Sequence, residues 1–500
     1  MNIKEILADS NLAFLNQENN TALKLAKQAI NLEPQNPQAY KCAGNACMSL
    51  ENYDEAIMHY RNSVKYDPNN GDRYYDLGFA LATKEKLADA MKNLSKAEEL
   101  GCSEENLVQL YNLLGIICFD IGRYDDALIN LIKAEQIIGV DLDILQRKTI
   151  IYGMKDDIRN GLLTTNQIKM IAPSEYLGYQ FAFKLLVQAK RLDDAQKELE
   201  KAEKYATPSM TYYFDCVTFE LEKYHTDNNK DHFITALTII DKGLKNLNPT
   251  VINVIESYIN AAELYLQLEK ADQTIDCLNA AQNPAFAYNN KFAVVTPEES
   301  ESVVLTEYDV EDMIEADRAK IAEDFGDYGL EKIVEDTPPD EDGNRDYLTE
   351  IEDEPQDTPI EYKLDETEKV EYSQENIDQI NRLYIGAYTL KKDFDKVIDY
   401  AKMLQASENI QNSYIGKYTE VNALKELGSP DASAKYEKLI KFFRNAMIKD
   451  PTDIVAMTFR VQCYIDIGNY AEAERMCNIL SKEIREPLIK KIEEARLGGD

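Results

Sequence analysis

This 500-residue chain predicts an all-α solenoid built from antiparallel helix pairs, and three observations carry the prediction. Small residues recur at a near-constant interval: Gly44, Gly78 and Gly115 are followed twelve residues on by Ala56, Ala90 and Ala127, and seven further by Ser63, Ala97 and Ala134. Large residues stand in register between them. Tyr40, Tyr74 and Tyr111 open each unit, while Tyr60, Leu94 and Leu131 occupy the middle of its second half. Pro and Asn mark the boundaries, in EPQNP at 33–37 and DPNNGD at 67–72, where one helix must stop and the next begin.

Each unit reads as two amphipathic helices with apolar residues at the 3.6-residue period. Gly or Ala at the crossing lets the two backbones approach closely, and the bulky residues one turn away fill the space beside it. The series Tyr40, Gly44, Tyr53, Ala56, Tyr60, Ser63 and Pro68 resembles the tetratricopeptide repeat. That resemblance implies a right-handed superhelix in which the first helix of every unit lines a concave face that receives another polypeptide.

The unit before this one keeps Ser10, Ala22, Ala29 and Pro34. After Gly115 the copies weaken, ending at APSEY (172–176) and at RLDDAQKELEKAEKYATP (191–208). Two degenerate units follow near 209–248, with a longer loop in KYHTDNNKDH, and near 254–284. About eight units therefore fill residues 1–284 as an N-terminal array. The pattern returns in a C-terminal array at 376–500, with about three units marked by 388–404, 431–451 and 465–480. EPLIKKIEEARL at 486–497 places Leu488, Ile492 and Ala495 on one helical face and reads as a terminal helix capping the last unit, as solenoids require for solubility.

Residues 285–375 read as an acidic, largely irregular linker. Its stretch 297–375 carries 30 acids and 6 bases, a net of −24, which leaves −11 (60 acids, 49 bases) for the rest of the chain. So few aliphatics cannot bury enough apolar surface to offset chain ordering. One exception is an amphipathic helix at 308–325, where Val310, Met313, Ile314, Ile321 and Phe325 fall near helical spacing. Three roles are open to the segment: a solvated spacer, an occupant of the protein's own groove or a partner's, and an acidic mimic that engages a basic protein.

A formal net charge of −35 excludes a phosphate-binding surface, since nucleic acid and anionic membranes require clustered Lys and Arg. The expected partner is a protein or peptide of basic character. No apolar run approaches the roughly 20 residues that span a bilayer, and the N-terminus lacks a signal-peptide pattern. Eight cysteines are scattered without a CxxC pair, which fits a reducing, cytoplasmic setting. Of three histidines, His225 and His232 share a polar loop with no metal-ligand spacing. No catalytic, metal or cofactor site is expected, and oligomeric state is left open.

Function is expected on the first-helix face. Lys41 and Asn45 lie four apart on one side of a helix, where an ammonium beside an amide could grip a C-terminal carboxylate. The resemblance to tetratricopeptide co-chaperones implies such a clamp, but Asp76 stands where an Asn is required, and Gln109 and Leu113 replace the basic pair. The same face offers Leu7 and Phe14 from the first unit, Tyr75 and Phe79 from the third, Asn112, Ile116 and Phe119 from the fourth, and Ile150 from the fifth. These describe a peptide groove with Phe79 and Phe119 as its anchors. The expected function is a non-enzymatic protein–protein interaction scaffold. The alternative is a regulatory or co-chaperone-like subunit that controls a catalytic partner and is autoinhibited by the acidic linker.

Overall fold

The computed structural model describes residues 2–295, 362–367 and 369–497; the expected helix at 308–325 lies outside them. Among the described residues every regular element is a helix. The chain divides into two compact units, Met1–Pro208 and Ser209–Asp500, a boundary inside the run expected to form one N-terminal array.

In the first unit α1 (Ile3–Leu15) pairs with α2 (Asn19–Leu32), α3 (Pro37–Ser49) with α4 (Tyr53–Tyr66), and α5 (Gly71–Thr83) with α6 (Leu87–Leu100). The series continues with α7 (Glu104–Asp120) and α8 (Tyr124–Ile138), α9 (Leu142–Met154) and α10 (Ile158–Ile171), and α11 (Leu177–Gln188) and α12 (Leu192–Tyr205). Each second helix also packs on the first helix of the next pair, so neighbours stack in chain order.

Local chemistry sets the helix limits. Asn36 accepts from the backbone N–H groups of Gln38 and Ala39 and places Pro37 at the first helical position, while Asn70 does the same service for Asp72. Within a pair the turn needs one residue in the left-handed region. Glu51 (φ 59°), Glu85 (φ 57°) and Asp156 (φ 56°) adopt it at a strain that Gly122 (φ 75°) avoids.

The small residues meet the large ones as their register predicts. A Cβ on Gly44 would lie 2.5 Å from the Tyr60 ring, one on Gly78 2.7 Å from Leu94, and one on Gly115 3.0 Å from Leu131. Ala56, Ala90 and Ala127 are fully buried at the same crossings.

The second unit holds α13 (Met210–Asp227) with α14 (Asp231–Asn246), α15 (Val251–Gln267) with α16 (Ala271–Gln282), and the short α17 (Pro284–Asn289). Beyond the acidic stretch come α18 (Gln374–Leu390) with α19 (Phe394–Gln405), α20 (Ile410–Glu426) with α21 (Ala432–Lys449), and α22 (Ile454–Asp466) with α23 (Tyr470–Cys477). The last helix, α24 (Lys482–Leu497), buries Leu488 and Ile492 against α22 and α23, and Tyr470 donates to the carbonyl of Ala495 at 3.1 Å.

The helices on the two sides of the acidic stretch pack directly on each other, α18 against α15 and α16. Tyr384 of α18 lies in one buried cluster with Tyr258 and Tyr265 of α15, and its hydroxyl donates to Asn279 at 2.8 Å. The flanks of the stretch belong to that cluster as well, through Val294, Val295 and Leu364. Asn289 ties them together: its side-chain amide donates to the carbonyl of Leu364 and its oxygen accepts from the Leu364 N–H, both at 2.9 Å. Tyr362 and Tyr372 donate to the carbonyls of Pro249 and Ala281. The residues at 285–295, 362–367 and 369–372, expected as irregular linker, are thus part of the fold. Their aromatic and aliphatic side chains, Tyr288, Phe292, Val294 and Val295 on one side and Leu364, Val370 and Tyr372 on the other, account for this.

His232, read from sequence as a solvated loop residue, bridges Glu220 (2.6 Å) and Asp227 (3.1 Å) at the α13–α14 turn. Burial disfavours its imidazolium, but the two carboxylates outweigh burial and raise its pKa. The stabilisation is fully present below the ordinary histidine range and is lost as pH rises through the raised folded value. The thermal midpoint of His232→Gln is therefore expected to fall furthest below the parent near about pH 6 and to converge with it by about pH 9, measured by scanning calorimetry. For the crossings, Ala90→Leu is expected to overpack α5 against α6 and lower stability by about 1–3 kcal/mol in urea unfolding.

Candidate peptide-binding face of the N-terminal unit

The first helices α1, α3, α5 and α7 contact one another in succession, so residues at equivalent places in each form a continuous row. Lys41, Tyr75 and Asn112 occupy one such place, each directly after the opening tyrosine of its unit, and Asn45, Phe79, Ile116 and Ile150 occupy another, one residue after the crossing.

The first pair does not form a carboxylate clamp. Lys41 Nζ lies 3.1 Å from the Asp76 carboxylate in an ion pair that lacks hydrogen-bond alignment. Asn45 Oδ1 accepts from the Tyr60 hydroxyl at 2.8 Å. Both groups are therefore committed inside the molecule. Burial pushes the Asp76 carboxyl above the ordinary carboxylate range, against the pull of Lys41 and Arg73.

The apolar positions separate into two groups. Leu7 packs beside Ile6, Ala29 and Ala39, and Phe14 beside Ala13, Ala22 and Ala46, so both serve the packing of α1. Tyr75 leans on the core between α5 and α6, with its ring 6.4 Å from that of Phe79. Phe79 itself is 44% exposed, and Ile150 is 42% exposed.

Ile116, Phe119 and Ile150 come together in a notch of about 90 Å³ between α7 and α9, closed below by Leu131 and Ile151 and edged by Arg147. Asn112, in the same helix, carries a buried Oδ1 with no hydrogen-bond partner among the described residues. An acceptor left unpaired in that condition is a local cost to the fold. Sequence reasoning overlooked Arg147 and the Tyr60 hydroxyl. Tyr60 was assigned to packing alone, although a tyrosine buried beside a groove position needs a partner for its O–H.

This architecture defines a helical-repeat protein whose side-by-side first helices present a ligand-sized surface. Residues 44–84 match the family model described as TPR repeat, so the chain carries tetratricopeptide repeats. A stretch of 131 residues is 24% identical to the BBSome complex member BBS4 of Bos taurus; the match takes in 26% of this chain and only about a quarter (25%) of that relative's length. Among solved structures, a tetratricopeptide repeat protein from Parabacteroides merdae aligns over 47% of this chain and 93% of its own, at 16% identity and a TM-score of 0.34. YrrB, described as a TPR protein with an unusual peptide-binding site, aligns over 35% of this chain and 90% of its own, at 18% identity and a TM-score of 0.33. Among the described residues no helix is long and apolar enough to cross a membrane.

Replacing Asp76 by Asn releases Lys41 and removes a buried charge. The variant is expected to bind a peptide with a free C-terminal carboxylate about tenfold better than its amidated form, whereas the parent should not discriminate. Because the folded pKa of Asp76 is raised, its ionisation destabilises the parent as pH climbs above the carboxylate range. The stability advantage of Asp76→Asn should accordingly be larger at neutral pH than near pH 4, as read by thermal unfolding.

Proposed function

We propose that this chain is a protein–protein interaction scaffold, the role that its tetratricopeptide repeats indicate. It binds an extended or helical segment of a partner protein along α5, α7 and α9, without catalysis. The observation that carries the reading is the notch of Ile116, Phe119 and Ile150, continued by exposed Phe79 one helix away. Apolar side chains held open on rigid helices suit the insertion of one or two hydrophobic anchors.

The guest is basic. The charge of −35 favours cationic segments and speeds their encounter, while Arg147 at the notch rim supplies one local site for an acid. The co-chaperone-like alternative is less well supported, because Lys41 and Asn45 are both engaged internally. Control of a catalytic partner, or autoinhibition by the acidic segment, draws on residues outside those described.

Panning a displayed library of random peptides against the immobilised full-length chain tests the groove. The parent is expected to enrich sequences pairing aliphatic or aromatic anchors with Lys and Arg. Phe79→Ala combined with Ile150→Ala, both largely exposed and so tolerable to the fold, should weaken the enriched peptides by at least about tenfold. Equal affinity in a variant with unchanged circular dichroism would remove the proposal.

A further inference from the structure

A second site, independent of the groove, lies between α2, α3 and α4. Cys47 comes from α3, and Glu55 and His59 come from one face of α4 at i and i+4. One potential ligand atom from each residue lies within 4.8 Å of the others. Cys47 is fully buried and His59 is only 5% exposed.

The imidazole is not satisfied by the fold. Neither ring nitrogen of His59 has a hydrogen-bond partner among the described residues, although Nε2 stands 3.5 Å from a Glu55 oxygen. A buried ring with Nδ1 unengaged and Nε2 only loosely approached by a carboxylate is an unfavourable arrangement unless something else engages it. The separation of 3.5 Å is close to the ligand–ligand edge of about 3.3–3.6 Å that tetrahedral zinc imposes on N, O and S donors.

The donor set is specific in kind. A thiolate, an imidazole and a carboxylate suit a borderline divalent ion such as Zn²⁺, whereas Mg²⁺ and Ca²⁺ require oxygen ligands. Three protein ligands leave a fourth position for water. We propose that Cys47, Glu55 and His59 form a binding site for one zinc-class divalent cation, with Lys27 of α2 holding the place of the positive charge when the metal is not bound.

Lys27 Nζ lies 2.8 Å from the Glu55 carboxylate, and its side chain is 48% exposed. It can swing into solvent with its proton retained when a cation takes over Glu55. Burial keeps the His59 imidazole neutral, so its lone pair is available, and it holds the Cys47 thiol up at about 11. The thiol must therefore give its proton to solvent as the sulfur–metal bond forms, one proton for each ion bound. Apart from Lys27 and the three ligands, the ring beside His59 is that of Tyr40, at 6.1 Å between centroids. Metal binding would pin α3 to α4 and stiffen the second helix pair.

The test uses the full-length chain stripped of metal with a chelator. Titration with Co²⁺ is expected to produce a thiolate-to-metal charge-transfer band that saturates at one equivalent. Zn²⁺ should displace the cobalt, release one proton in calorimetry run in two buffers, and raise the thermal midpoint. Cys47→Ser and His59→Gln should each weaken binding by at least about a hundredfold, while Lys27→Ala, at an exposed position, should tighten it by about tenfold. The proposal is overturned if the parent shows no band. It is equally overturned if Cys47→Ser keeps the parent's affinity, which would assign the metal to other cysteines, or if Lys27→Ala binds no tighter than the parent.

Discussion

Two helices can touch closely only where one of them carries a small side chain or none, and the remainder of this molecule depends on that constraint. Gly44 and Gly78 receive Tyr60 and Leu94 at distances that no Cβ would tolerate, and Gly115 receives Leu131 at one that would force the leucine to shift. The contact sets the inclination of each pair, and repeating it at a near-constant interval brings the first helices side by side. The face where a guest could lie follows from the crossing. The coupling also runs in the other direction. Tyr60 fills a crossing with its ring and takes Asn45 with its hydroxyl, so one packing residue removes a candidate ligand group.

Electrostatics act on the same face in a similar way. Lys41 and Asp76 come from adjacent units and would each be a strong feature alone. Paired across α3 and α5, they cancel, and the partly buried carboxylate gains little from water. What the face has left to offer is apolar surface at Phe79, Ile116 and Ile150. Recognition there would rest on shape and burial, with long-range charge assisting approach.

The repeat register was legible because it is written in residue size: a Gly or Ala at the crossing has one structural meaning, and eight helix pairs precede residue 285 among those described. Spacing carries no information on which groups pair, so the contacts of Lys41 with Asp76 and of Asn45 with Tyr60 were not legible in it. His59 was invisible for a related reason. Cys47 lies across a turn from it, and the state of its ring depends on what fails to surround it. The packing of α18 onto α15 and α16 could not be read either, since periodicity stops wherever the chain makes a long detour, even when the helices on either side remain neighbours. His232 was dismissed with its loop, though Glu220 lies one helical face upstream.

Stacking in chain order has an energetic corollary. When each helix pair meets only the pairs before and after it, cohesion adds up along a line, as in a column of coins. Damage to a terminal pair frays one end and leaves the others intact. Equal damage at α5 and α6 severs two interfaces at once and divides the first unit into shorter columns that must stand separately. The end of the second unit is protected by α24, which covers an apolar flank that would otherwise face solvent.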